Sequence, residues 1–242
     1  TGFADWPTAR DLDALYAERA ARAGAPALRF AENVRKEDKR DAGRVVLDAL
    51  YDGRIAQRGE VPTRERDWHD FFNALCFATF PRAKHALHTR QYRALAARVK
   101  PEDKRLPNAR TPEQDALTLF DEGGAVIAAQ PSTCAELAAA TEADRLSRLL
   151  QLMAAGRARV VPFGHALFEH LVEGLRCPGG CTQTLALPEL PAGDEALLDA
   201  VDAALASALQ DAARFLSPRD CAHIRLQDLQ LHARSGNGPT EA

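Results

Sequence analysis

Aromatic residues are scarce, at 6% of 242 residues, so a mainly sheet-built architecture would lack its usual strand formers. Cysteine is also scarce. Five residues at irregular spacing argue against a disulfide framework and point to a reducing cytoplasm. No apolar run approaches the ~20 residues a membrane-spanning helix needs. Thr1 to Asp13 shows no charged-then-apolar targeting pattern. No sign of charge dominates, and a net charge of −3 names no partner. There is no internal repeat and no long low-complexity tract, which excludes solenoids and arrays.

What is present is ordinary globular material: 46% apolar and 27% charged residues. Alanine and leucine lead the apolar set, which favours helices. A chain of this size can bury roughly 70% of its unfolded surface, enough for a core without metal or disulfide. The expectation is one globular domain over residues 1–234 and a disordered tail over 235–242. Its class is α+β, predominantly α-helical, with a small antiparallel β-hairpin or sheet.

The elements follow from periodicity and caps. Thr8 caps a helix to Ala23, with Leu12, Leu15, Tyr16 and Ala20 on one face. Ala27–Glu32 reads as extended. Val45–Tyr51 belongs to a second helix, and Gly59–Pro62 to a loop. Helices are expected over about 65–80 and 82–99, Pro81 opening the second. Thr111-Pro112-Glu113-Gln114 is a helix start. Leu117–Phe120 and Ala125–Ala128 flank Asp121-Glu122-Gly123-Gly124, which reads as a hairpin whose glycines supply positive φ. Helices are expected at about 133–139, 142–154, 164–174 and 194–216, and strands at 159–161 and 182–187.

Three helices carry polar residues among apolar ones. On a wheel, Trp68, Phe71, Phe72, Leu75 and Thr79 form one face, while Phe77 and Phe80 lie on the other side. A helix apolar nearly all round is a buried helix. His69, Asp70 and Asn73 on it therefore need partners, at about 1–3 kcal/mol for each one missed. A histidine–aspartate dyad hydrolase would require an earlier histidine, and none precedes His69. On the next helix Lys84, His88 and Gln91 share the apolar face. A lysine facing inward seeks a carboxylate or an anionic ligand, or runs its stem along the core to water. His165 and Glu169 stand at i, i+4 on the third helix. This spacing suits a general base, a metal ligand or a surface pair. Asp115, Asp121 and Glu122 are the acidic candidates around the hairpin.

Two other signals are weaker. Arg82 to Arg110 holds nine Lys or Arg against two acids, +7, leaving −10 elsewhere. No aromatic interleaving or nucleic-acid motif accompanies it, so a solvated basic face is preferred to nucleic-acid binding. Cys177 and Cys181, with Cys221 and His223, resemble a zinc knuckle of irregular spacing.

Arg66-Asp67-Trp68-His69-Asp70-Phe71-Phe72-Asn73-Ala74-Leu75, followed by Phe80-Pro81-Arg82-Ala83-Lys84, resembles the bacterial domain-of-unknown-function family 3025. So do Asp115–Gly123 and Phe163–Glu169. The resemblance spans about residues 45–175 and implies membership but no activity. It implies that the family's motif uses the positions held here by His69, Asp70, Asn73, Lys84, Asp115, Asp121, Glu122, His165 and Glu169. His88 stands where the family has asparagine, and the Cys177–Cys181 pair lies outside the pattern.

Two functions remain open. In the first, the three helices and the hairpin build an enzyme site. His69 or His165 is its general base or metal ligand, Asp70, Asp121, Glu122 and Glu169 orient that group or bind a divalent metal, and Lys84 holds an anionic or phosphate-bearing substrate. Asn73, His88, Asp115, Asp121 and Glu122 would contact the ligand. In the second, the chain is a non-catalytic binding or scaffold protein and the same residues form a buried structural network. Neither substrate nor oligomeric state can be read from the sequence.

Overall fold

A computed structural model describes residues 5–32, 40–41, 44–173 and 179–225; the tail expected to be disordered, 235–242, lies outside them. The chain divides into two compact units: Thr1–Thr118 with Leu205–Asp220, and Leu119–Ala204 with Cys221–Ala242. Most described residues are helical, and the sheets are small.

In the first unit, helix α1 (Ala9–Ala23) starts on a capping box. The Thr8 side chain accepts from Asp11 N–H, the Asp11 carboxylate accepts from Thr8 N–H, and Gly24 ends the helix in the left-handed region. Strand β1 (Arg29–Glu32) pairs in parallel with a strand over Glu60–Thr63. Between these partners lie β2 (Arg40–Asp41) antiparallel to β3 (Arg44–Val45), a single 3₁₀ turn at Leu47–Ala49, and α2 (Tyr51–Arg58). The Glu60–Thr63 strand is β4.

This corrects two expectations. The second helix begins at Tyr51 rather than Val45, and 60–62 is strand rather than loop. A Cβ on Gly53 would stand 2.1 Å from the Leu47 carbonyl oxygen, so only glycine lets α2 fold back on that turn. Gly59 at φ +66° then redirects the chain into β4. Its partner β1 is thirty-odd positions away, beyond the reach of local pattern reading.

Helices α3 (Trp68–Thr79) and α4 (Pro81–Ala96) follow. Leu12, Tyr16, Phe30, Ile55, Val61, Ala74 and Phe77 form the core of this unit. The expected all-round burial of α3 holds for Asn73, Ala74 and Phe77 but not for Trp68, which is 43% exposed. Its first turn instead makes an aromatic cluster in which Trp68 meets Trp6 at 4.5 Å and stacks on Phe72 at 5.6 Å.

The expected hairpin at 117–128 is absent. Leu117–Phe120 belongs to α5 (Pro112–Gly123), which runs directly into strand β5 (Gly124–Ala129). All six β5 residues are buried, as a central strand's must be. Helices α6 (Pro131–Ala138) and α7 (Glu142–Ala154) lead to strand β6 (Ala158–Pro162), and α8 (Ala166–Val172) follows it. Strands β7 (Gly179–Ala186) and β8 (Ala222–Arg225) complete a mixed four-stranded sheet of order β6-β5-β7-β8, in which only the β5–β7 pairing is parallel. Ile127, Leu137, Leu149, Leu152, Ala158 and Ile224 pack this unit's core.

Helix α9 (Asp194–Gln210) ends six residues earlier than its periodicity predicts. The Asp211 carboxylate accepts from Ala213 N–H at 2.9 Å, a local bond that competes with continuing the helix. No helix among the described residues is long and apolar enough to cross a membrane.

Candidate functional site

The ten candidate residues fall into two sets, one in each unit, and each is described by itself. In the first unit, α3 and α4 are joined through Phe80-Pro81, so their polar faces meet. Lys84 is fully buried, donates to Asn73 Oδ1 at 2.7 Å and lies 4.7 Å from the Phe77 ring centroid. Asn73 in turn donates to the Tyr51 hydroxyl at 2.7 Å. His88 is buried, stacks on Phe77 and places Nδ1 2.9 Å from Asp52 Oδ1. Gln91 donates to the Gln114 carbonyl and to Thr118 Oγ1.

Asp70 is held by Arg64. Its Oδ2 accepts from the Arg64 backbone N–H at 2.7 Å and from Nε at 2.9 Å, and its Oδ1 accepts from Nη2 at 3.0 Å. Burial pushes its carboxyl upward, but these hydrogen bonds, the Arg64 charge and that of His69 together hold it below the usual carboxylate value. His69 is half-buried, and Asp115 is exposed on α5.

Sequence reasoning missed Tyr51, Asp52 and Arg64. Tyr51-Asp52 begins a helix, where an acidic first turn is expected anyway. Nothing in the local pattern marks Asp52 as the partner of a histidine 36 positions later.

In the second unit, two glycines make the site. A Cβ on Gly164 would fall 2.4 Å from Gly124 N and 2.5 Å from the Glu122 carbonyl oxygen. Phe163 and Gly164 both donate to the Gly124 carbonyl, at 2.9 and 2.8 Å, and His165 N–H donates to the Asp121 carbonyl at 3.2 Å. Gly124 is equally confined: its Cβ would meet the Phe120 carbonyl at 2.2 Å. Of the Gly-Gly pair expected to supply positive φ, Gly124 is therefore needed for close approach of backbones, while a Cβ on Gly123 would meet nothing within 4 Å. No positive φ occurs at either residue.

This contact carries His165, the residue at the start of α8, onto the end of α5. His165 is buried, with Nε2 3.4 Å from Glu122 Oε2 and Nδ1 3.9 Å from Asp121 Oδ2. Asp121 is buried and Glu122 half-open to solvent. Glu169 is half-buried, one turn further along α8. An imidazole with a carboxylate facing each ring nitrogen can pass a proton or complete a cation's coordination.

The family model for "Protein of unknown function (DUF3025)" matches residues 40–228, and all ten candidates fall inside that span. The chain belongs to the DUF3025 family. No curated protein and no solved structure matches it.

One expectation about this DUF3025 chain is overturned. Cys181 and Cys221 are joined by a disulfide, despite the odd cysteine count. Neither then offers the thiolate that zinc requires, so the four-ligand zinc reading loses both. Cys177 lies outside the described residues.

Proposed function

We propose that this protein is an enzyme whose site is built on His165, flanked by Asp121 and Glu122, and that His165 and Glu122 hold a divalent cation that acts on an anionic, phosphate-bearing substrate. One observation carries the reading: the 3.4 Å between His165 Nε2 and Glu122 Oε2. A cation about 2.1 Å from each atom would see them at roughly 108°, close to the tetrahedral angle. Asp121 on the opposite ring nitrogen has the role of the carboxylate that orients a metal-bound histidine. At 3.9 Å it acts through charge rather than a direct hydrogen bond. Glu122, half-open to solvent, leaves a route by which ligand reaches the cation. Such a cation would polarise a phosphoryl oxygen and activate water.

Titration of the full chain with Zn²⁺ or Mn²⁺ by calorimetry tests this. One saturable site is expected, lost in His165→Ala and weakened about 10–100-fold in Asp121→Asn. Hydrolysis of a generic phosphoester should follow metal occupancy. Failure of either cation to bind, or equal binding by His165→Ala, would refute the proposal.

A separate observation supports the second reading for the first unit's residues. The Lys84–Asn73–Tyr51 chain and the His88–Asp52 pair are each hydrogen-bonded inside the unit, as members of a structural network are. Loss of stability in Lys84→Met or Asn73→Ala, with metal binding intact, is the expected result.

A further inference from the structure

A groove of about 490 Å³ opens in the first unit, alongside α4. His85, Thr89 and Arg93 line it, spaced i, i+4 and i+8 along one stripe of the helix. Ala86 and Ala94 leave room beside them, and the segment around Leu209–Ala212 forms another wall. None of the ten candidate residues lies here.

The frame of the groove is fixed. Arg90 donates from Nε to Glu113 at 2.6 Å, from Nη1 to the Leu209 and Asp211 carbonyls at 2.9 and 3.0 Å, and from Nη2 to the Arg214 carbonyl at 2.7 Å. This fork occupies the Leu209 carbonyl in the last turn of α9, which has no partner within the helix, and two carbonyls of the segment just beyond it, and it neutralises Glu113, the one acid lining the groove.

The stripe itself is uncommitted. Arg93 is exposed and makes no ion pair among the described residues. Thr89 Oγ1 is buried and has no hydrogen-bond partner among the described residues, an arrangement that costs free energy unless a ligand or water completes it. His85 is half-buried beside them.

We propose that this groove binds a phosphate group, held by the Arg93 guanidinium, the Thr89 hydroxyl and the His85 imidazole. Three donor types on one stripe fit an oxyanion with several acceptor oxygens. The groove is much larger than a phosphate ion, so its natural occupant is a phosphate monoester whose remainder lies along Ala86, Ala94 and Leu209. The histidine is suited to report occupancy. Burial, then the charges of His88 and Arg93, hold its pKa below the ordinary 6.5. The other ionisable groups of the groove are Arg90 on α4 and Glu113 on α5; the α9 side contributes Leu209, Gln210 and Ala212, none of them ionisable. A bound anion would favour the imidazolium and move the titration up.

The test uses the full chain, with inorganic phosphate and phenyl phosphate as probes and sodium chloride at matched ionic strength as control. Saturable binding of both is expected by calorimetry, with the monoester tighter, and the His85 ring signals should titrate at higher pH when phosphate is present. Arg93→Gln, at an exposed position, should keep the fold by circular dichroism and weaken binding about tenfold or more. Thr89→Val should weaken it less, and His165→Ala, outside the groove, should leave it unchanged. A response matched by chloride, or phosphate binding undiminished in Arg93→Gln, would overturn the proposal. Loss of phosphate binding in His165→Ala alone would assign the anion to the other site.

Discussion

Gly164→Ala is the sharpest perturbation of the second unit, because its added atom has nowhere to go. The new Cβ would sit 2.4 Å from Gly124 N, 2.5 Å from the Glu122 oxygen and 2.6 Å from the Glu122 carbonyl carbon. All three are backbone atoms, so no side chain can swing aside, and ordinary contact requires the chains to part by roughly 1 Å. Overpacking of this kind costs about 1–3 kcal/mol. Parting the chains also strains the bonds from Phe163 and Gly164 to the Gly124 carbonyl and from His165 to the Asp121 carbonyl. If all three are lost at about 0.5–1.5 kcal/mol each, the total destabilisation is about 2.5–7.5 kcal/mol. That corresponds to a fall in Tm of roughly 5–30 °C for a chain of this size. Gly123→Ala is the control, since no atom lies within 4 Å of its Cβ, and alanine should be neutral or mildly favourable at the end of α5. Urea unfolding of both variants, followed by circular dichroism, measures the difference. Gly164→Ala should also lose the affinity for cations proposed for His165 and Glu122, because it displaces the ring. Equal stability of the two alanine variants would refute the idea that backbone contact at Gly164 builds this site.

Three more expectations follow from named contacts. Asp70→Asn removes a charged acceptor from Arg64 and should cost about 1–2 kcal/mol at pH 7, the low end because Arg64 is 54% exposed. Asp70's carboxyl is held below its ordinary 3.8, so its contribution is complete above that value and is lost as pH falls through the folded-state value. Urea midpoints of parent and variant should therefore converge in acid, and a constant gap would contradict the ion pair. Lys84→Met strands the Asn73 carbonyl and should cost about 1–3 kcal/mol. A methionine variant more stable than the parent would instead assign Lys84 to ligand binding. Reducing the Cys181–Cys221 disulfide, which spans 40 residues, should remove about 4 kcal/mol of chain-entropy stabilisation. Identical thermal melts with and without reductant, or two free thiols by mass spectrometry, would contradict it.

Much of the helical framework was legible because it rests on local chemistry. The Thr8 cap, proline at the start of α4 and the Thr111-Pro112 helix start each sit where the structure begins a helix. The inward turn of Lys84, His88 and Gln91 was legible for the same reason, since periodicity alone puts them on the Leu87 face. What local reasoning could not supply was pairing. Gly123-Gly124 looks like a turn, yet its use is decided by Gly164, forty positions away, whose backbone presses against it. The β1–β4 pairing and the Asp52–His88 contact failed to announce themselves for the same reason. In the candidate site, the residue types were readable from the sequence, but the geometry of the His165 carboxylates was not. The i, i+4 spacing offered Glu169 as the natural partner, while the ring nitrogens face Asp121 and Glu122.

Arg90 has a consequence for how the chain is made. Its guanidinium is synthesised 119 to 124 residues before the carbonyls of Leu209 and Arg214 that it binds. At bacterial or eukaryotic elongation speeds of about 5–20 residues per second, the fork waits roughly 6–25 s for those acceptors. The first unit therefore cannot close while its own earlier helices are leaving the ribosome. During that interval the exposed end of α4 is a place where a chaperone, or another nascent chain, could bind before Leu205–Asp220 arrives.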